Sequence, residues 1–123
     1  MNFEDLKDKV LSWADDKDLL HSENADKQFM KFIEEVFEFN VEMVVGFNYI
    51  KQCEYIGTSL DHDLKKIRNL KLEMGDILVT LIILCEQIGI DPEECLEMAY
   101  EKIKDRSGKT INGTFIKDED LDE

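Results

Sequence analysis

LEMGDILVTLIILCEQ, residues 72–87, is the stretch on which the fold turns. At about 100° per residue, Ile77, Leu78, Val79, Leu81, Ile82 and Ile83 spread over most of the helical cylinder, while Asn69, Glu73, Asp76, Thr80 and Gln87 share one narrow stripe. A helix apolar on nearly every side must be buried on nearly every side. Neighbouring helices of a small bundle can cover part of that surface, and a partner subunit covers more. We therefore infer a homo-oligomer with this helix near its interface; a monomer with the helix central is the competing reading.

Working outward, helix signals dominate. Phe3, Leu6, Val10, Leu11 and Trp13 give a first helix from about Phe3 to Ala14, followed by a polar loop, Asp15 to Asn24. A second helix is predicted from Asn24 to Gly46, with Gly46 as its C-cap and Phe47 to Gly57 either continuing it or forming a short separate helix. The third opens at Thr58 or Ser59 and ends at Gly89. The fourth takes Asp91 as N-cap and Pro92 as first residue, and ends near Arg106. Asn112-Gly113 between two short β-prone runs predicts a hairpin, and Asp118 to Glu123, with five acids and no base, reads as a frayed tail. The expected domain is thus residues 1–117, with 118–123 as an acidic tail.

The 123 residues carry 29 acids against 15 bases, a net charge of −14. Such a surface repels nucleic-acid polymers and anionic membranes. The longest apolar run, Ile77 to Cys85, is far short of the roughly 20 residues that cross a bilayer. Cys53, Cys85 and Cys95 form no Cys-x-x-Cys pair and His21 and His62 are isolated, which argues against a zinc site or disulfide framework and for a reducing cytoplasm.

Acid spacing alone is uninformative, because nine acidic pairs stand three residues apart. Context separates them. On the second helix, Lys31, Glu34, Glu35, Glu38 and Glu42 occupy the arc that Phe29, Phe32, Phe39, Met43 and their apolar neighbours leave free. On the third, Glu73 and Asp76 lie in a stripe bordered by apolar residues on both sides and containing no base. Buried carboxylates need compensation, and Mg²⁺ or Mn²⁺ supplies it if the helices pack antiparallel with stripes facing. The alternative is that both stripes face water.

Three segments then reach a known family: Trp13-Ala14-Asp15-Asp16-Lys17-Asp18-Leu19; Gln28-x-x-Lys31-x-x-Glu34-Glu35-x-x-Glu38; and Lys71-x-Glu73-x-Gly75-Asp76-Ile77-Leu78-Val79-Thr80. With Ile88-Gly89-Ile90-Asp91 and Tyr100-x-Lys102-x-Lys104-x-Arg106, they resemble the MazG-like nucleotide pyrophosphohydrolases of the all-α nucleoside triphosphate pyrophosphohydrolase superfamily. The resemblance implies a four-to-five-helix bundle assembling as a dimer or dimer of dimers. It also implies Mg²⁺-dependent cleavage of a nucleoside triphosphate between the α and β phosphates, giving the monophosphate and pyrophosphate. Glu35, Glu38, Glu73 and Asp76 match the metal ligands, and Glu34 matches the carboxylate that positions or deprotonates the attacking water. Lys102, Arg106 and Lys109 match basic residues that meet the outer phosphates, although Asp105 stands where many relatives carry an asparagine. Trp13 matches a tryptophan that can stack on a base, with core packing as its competing role. Gln28 and Lys31 are candidates for nucleotide contact, an ion pair with Glu35 competing for Lys31.

Two other readings stay open: a relative specific for dUTP or phosphoribosyl-ATP, and a non-enzymatic acidic helical module that mimics DNA or inhibits a basic partner.

Overall fold

The structure, a computed structural model, describes the backbone of residues 1–56 and 60–121 and the side chains of residues 1–45 and 64–121. The chain divides into two compact units, Met1–Gly89 and Ile90–Glu123. The first holds α1 (Phe3–Asp16), a 3₁₀ turn (Ser22–Asn24), α2 (Ala25–Ile56) and α3 (Leu60–Ile88); the second holds α4 (Pro92–Ile103), β1 (Gly108–Ile111), β2 (Thr114–Lys117) and α5 (Asp118–Leu121). The described chain is therefore helical apart from one hairpin.

α1 begins with a reciprocal cap. The Asp5 amide donates to the Asn2 side chain at 2.8 Å and the Asn2 amide donates back to the Asp5 carboxylate at 3.2 Å. It ends where Asp18, at φ +60°, turns the chain so that the Leu19 amide reaches the Ala14 carbonyl at 2.9 Å. That turn sets Leu19 against the bundle.

α2 is one helix of 32 residues and runs straight through Gly46, so the expected C-cap there is overturned. A single internal glycine costs about 1 kcal/mol relative to alanine, too little to stop a long helix. The predicted start of α3 at Thr58 or Ser59 lies outside the described residues. Its end is as expected, with Gly89 in the left-handed region at φ +77°.

α2 and α3 pack antiparallel: Gln28 meets Thr80 while Glu35 meets Glu73 and Asp76, so numbers rise along one helix as they fall along the other. α1 lies on α3. Among the described residues the buried apolar side chains are Ala14, Ile82, Ile83 and Cys85, which places the core at the C-terminal half of α3. Large apolar groups elsewhere stay open: Met30 is 63% exposed, Phe37 66% and Leu72 57%.

In the second unit Asp91 caps α4 by accepting from the Glu93 amide at 3.1 Å, with Pro92 following, as expected. The helix stops at Ile103 rather than near Arg106, because a tight turn (Arg106 amide to Ile103 carbonyl, 3.0 Å) leads into β1. β1 and β2 pair antiparallel, Ile111 opposite Thr114. Both turn residues have positive φ, Asn112 at +52° and Gly113 at +80°, the signature of a type I′ turn. The start of the acidic tail is the helical turn α5, whose acids sit at a helix N-terminus.

Candidate functional site

The site is built where the polar stripes of α2 and α3 face each other. Glu35, Glu73 and Asp76 each offer a carboxylate oxygen, and the three oxygens lie within 4.8 Å of one another. They form the one such group among the described residues, and they are three of the four ligands expected from the sequence. Glu35 is only 8% exposed, and one carboxylate oxygen of Glu35 and one of Glu73 are buried with no hydrogen-bond partner. Helix geometry explains the convergence: Glu73 and Asp76 are three residues apart on one face, and Glu35 comes across from the antiparallel neighbour.

Glu38, one turn further along α2, stands outside this trio but within its field. The Glu35 charge raises its carboxyl above the usual glutamate range, helped by desolvation and by the charges of Glu34 and Glu73. Crowded, partly buried carboxylates with orphaned oxygens are what a divalent cation compensates, and an all-oxygen donor set suits Mg²⁺ or Mn²⁺. The donor set therefore fits the ion expected from the sequence.

Lys31 is drawn into the same cluster. Its ammonium lies 3.2 Å from Glu35 and 3.8 Å from Glu34, and the hydrogen bond to Glu35, followed by the Glu34 charge, raises its pKa. The ion pair that competes with nucleotide contact is thus formed. Glu34 itself is exposed, at the rim.

A cavity of about 400 Å³ opens beside the trio, within the range of small-ligand sites, roughly 300–1,000 Å³. Glu35, Asp76 and Lys31 line one part of it; Trp13, Leu19, Val79 and Ile83 give it apolar walls. Trp13 is half exposed, so core packing does not account for it. Gln28 also lines this cavity and donates to the Thr80 carbonyl at 3.3 Å. Thr80 also lines the cavity, and its hydroxyl donates to the Ile77 carbonyl at 2.8 Å.

Leu19 and Ile83 were not foreseen as site residues. Nothing in local sequence marks them, since they reach the cavity through the turn after α1 and the packing of α3. Thr80 and Gln87 belonged to the polar stripe, the signal that could have included them.

Lys102 and Arg106 line a separate cavity of about 470 Å³ within the second unit, together with Lys117 and several acids. Lys109 lies in β1 opposite Ile116.

Comparison with known proteins returned no matching curated protein and no matching solved structure. The profile of the MazG nucleotide pyrophosphohydrolase domain matches residues 24–111, a span that includes both carboxylate-bearing helices. With that match over most of its length, and with the paired acidic motifs converging across antiparallel helices, the chain belongs to the MazG nucleotide pyrophosphohydrolase family.

Proposed function

We propose that this protein is a Mg²⁺-dependent pyrophosphohydrolase of nucleoside or deoxynucleoside triphosphates, cleaving between the α and β phosphates. The observation that carries the reading is the trio Glu35, Glu73 and Asp76, with two buried carboxylate oxygens left without partners. Glu35, Glu73 and Asp76, joined by Glu38, would hold the cation, which when bound offsets the triphosphate charge and acidifies water, with Mn²⁺ as a possible substitute.

The chain's own groups supply the rest. Glu34, steadied by Lys31, takes the proton as water attacks the α-phosphorus; the bond to the bridging oxygen breaks and pyrophosphate leaves with that oxygen. Trp13 stacks on the base, and Gln28 and Lys31 contact the nucleotide from the first turns of α2. The phosphate-contact role that the resemblance implies for Lys102, Arg106 and Lys109 belongs to the same proposal. The uncovered apolar side chains of α2 and α3 support a homodimer or homotetramer. No helix among the described residues is long and apolar enough to cross a membrane, and Cys85 and Cys95, which form no disulfide, suit a reducing cytoplasm.

Pyrophosphate release from a panel of NTPs and dNTPs, extended to dUTP and phosphoribosyl-ATP, tests the reading. Release with Mg²⁺ that is lost in Glu38→Ala and Asp76→Ala supports it. No release from any substrate, or activity undiminished in those variants, overturns it.

A further inference from the structure

The polar stripe of α3 does not end at the carboxylates. Eleven residues beyond Asp76, roughly 16 Å along the helix axis, it closes with Gln87, which is only 6% exposed. The Gln87 side-chain Nε2 donates to the Leu19 carbonyl at 2.7 Å. That bond fixes the amide, because only its nitrogen can face a carbonyl oxygen. The opposite atom, Oε1, is buried and has no partner among the described residues. A buried carbonyl oxygen without a donor is costly, and a ligand that brings an N–H relieves the cost.

Gln87 lines a cavity of about 230 Å³ with Leu19, Asn24, Lys27 and Gln28. Leu19 and Gln28 also line the larger cavity that reaches Glu35 and Asp76, so the two adjoin. A nucleotide with its phosphates at the carboxylates sends its base away from them, past Trp13 and Ile83, toward Leu19 and Gln28. The far edge of the base then arrives where Gln87 and Lys27 stand.

We propose that this second cavity reads the base edge farthest from the sugar, and that it selects bases presenting there an exocyclic amino group beside an unprotonated ring nitrogen, as cytosine and adenine do, rather than uracil, thymine, guanine or hypoxanthine, which present a carbonyl beside an N–H at that position. Gln87 Oε1 accepts from the amino group. Lys27, a donor with no acceptor capacity, serves the adjacent ring nitrogen. A keto base meets both groups wrongly, carbonyl against carbonyl and N–H against ammonium. The inference rests on the nucleotide-hydrolase reading for the placement of the phosphates.

Matched pairs differing only at that edge test it: CTP against UTP, and ATP against inosine triphosphate, compared by kcat/KM with Mg²⁺. The amino member of any pair that is turned over is favoured by about tenfold or more. In Lys27→Ala, at an exposed position, and in Gln87→Leu the ratio falls toward one; thermal unfolding of Gln87→Leu checks that losing the Leu19 bond has not cost the fold. Parity or inversion within a pair overturns the inference while leaving the hydrolase reading intact. Should no nucleotide be hydrolysed, that reading fails separately, and equilibrium titration with CMP and UMP decides this one: about tenfold tighter CMP supports it, equal affinity overturns it.

Discussion

Replacing Glu73 by glutamine makes a prediction whose sign depends on the cation. In the metal-free protein Glu73 is one of three carboxylates with oxygens within 4.8 Å. At that separation each like-charge pair costs between about 1 kcal/mol with full water screening and about 3.5 kcal/mol at an effective dielectric constant of about 20. Asp76 is exposed and Lys31 already offsets part of the Glu35 charge, so the lower end applies. The glutamine keeps the shape, removes one charge and adds an N–H that a neighbouring carboxylate can accept. Glu73→Gln should therefore be stabler than the wild type in EDTA by about 1–2 kcal/mol, several degrees of melting temperature for a domain of this size. In saturating Mg²⁺ the order reverses. The wild type gains about 2.7 kcal/mol when the ion is at 100 times its dissociation constant, and the variant, missing a ligand, gains much less. Differential scanning calorimetry of both proteins, with EDTA and with a Mg²⁺ series, reads this crossing. A variant that is less stable than the wild type in EDTA and responds equally to Mg²⁺ would show that Glu73 neither strains the metal-free cluster nor holds the ion.

Other expectations follow from single contacts. Trp13 is the one tryptophan of the chain, and it is half exposed on the cavity wall, so a non-hydrolysable nucleotide with Mg²⁺ should quench its fluorescence saturably. Trp13→Ala should raise KM about tenfold or more with a smaller change in kcat, and an unchanged KM removes the stacking role. His21 has a raised pKa, chiefly through its hydrogen bond to Asp18 and then the Asp18 charge. The pair therefore stabilises the fold fully below the ordinary histidine value of about 6.5 and loses that contribution as pH rises through the raised one. NMR titration should show the His21 midpoint above 6.5 and a fall toward that value in Asp18→Asn. Gly113 holds φ +80° in the hairpin turn, so Gly113→Val should loosen β1 and β2 by about 1 kcal/mol or more, seen as faster amide exchange at Lys109 and Ile116, which face each other in the ladder.

What the sequence could reveal followed the range of each interaction. Asp91 and Pro92 announce α4 because capping is local, and Asn112-Gly113 announces its turn because both residues tolerate positive φ. Gly46 misled for the complementary reason: one residue's preference is small beside the cooperativity of the helix around it. The carboxylate trio was legible because periodicity fixes which acids share a face and apolar borders mark a face that is covered. Trp13, Gln28 and Lys31 on the cavity wall were also legible, but Leu19 and Ile83 were not. Leu19 meets Gln87 across 68 residues of chain, a contact set by how α1 lies on α3 and invisible to any local pattern.

On the proposed reading, the facing stripes of α2 and α3 hold a divalent cation for attack at the α-phosphorus. Phosphorus NMR of the products from a nucleoside triphosphate, with Mg²⁺ and with EDTA, for the wild type and Asp76→Asn, addresses it most directly. Monophosphate and pyrophosphate should form in equal amounts from the wild type with Mg²⁺, and essentially none with EDTA or from the variant. Diphosphate and orthophosphate as products, or turnover that survives both EDTA and Asp76→Asn, would contradict it.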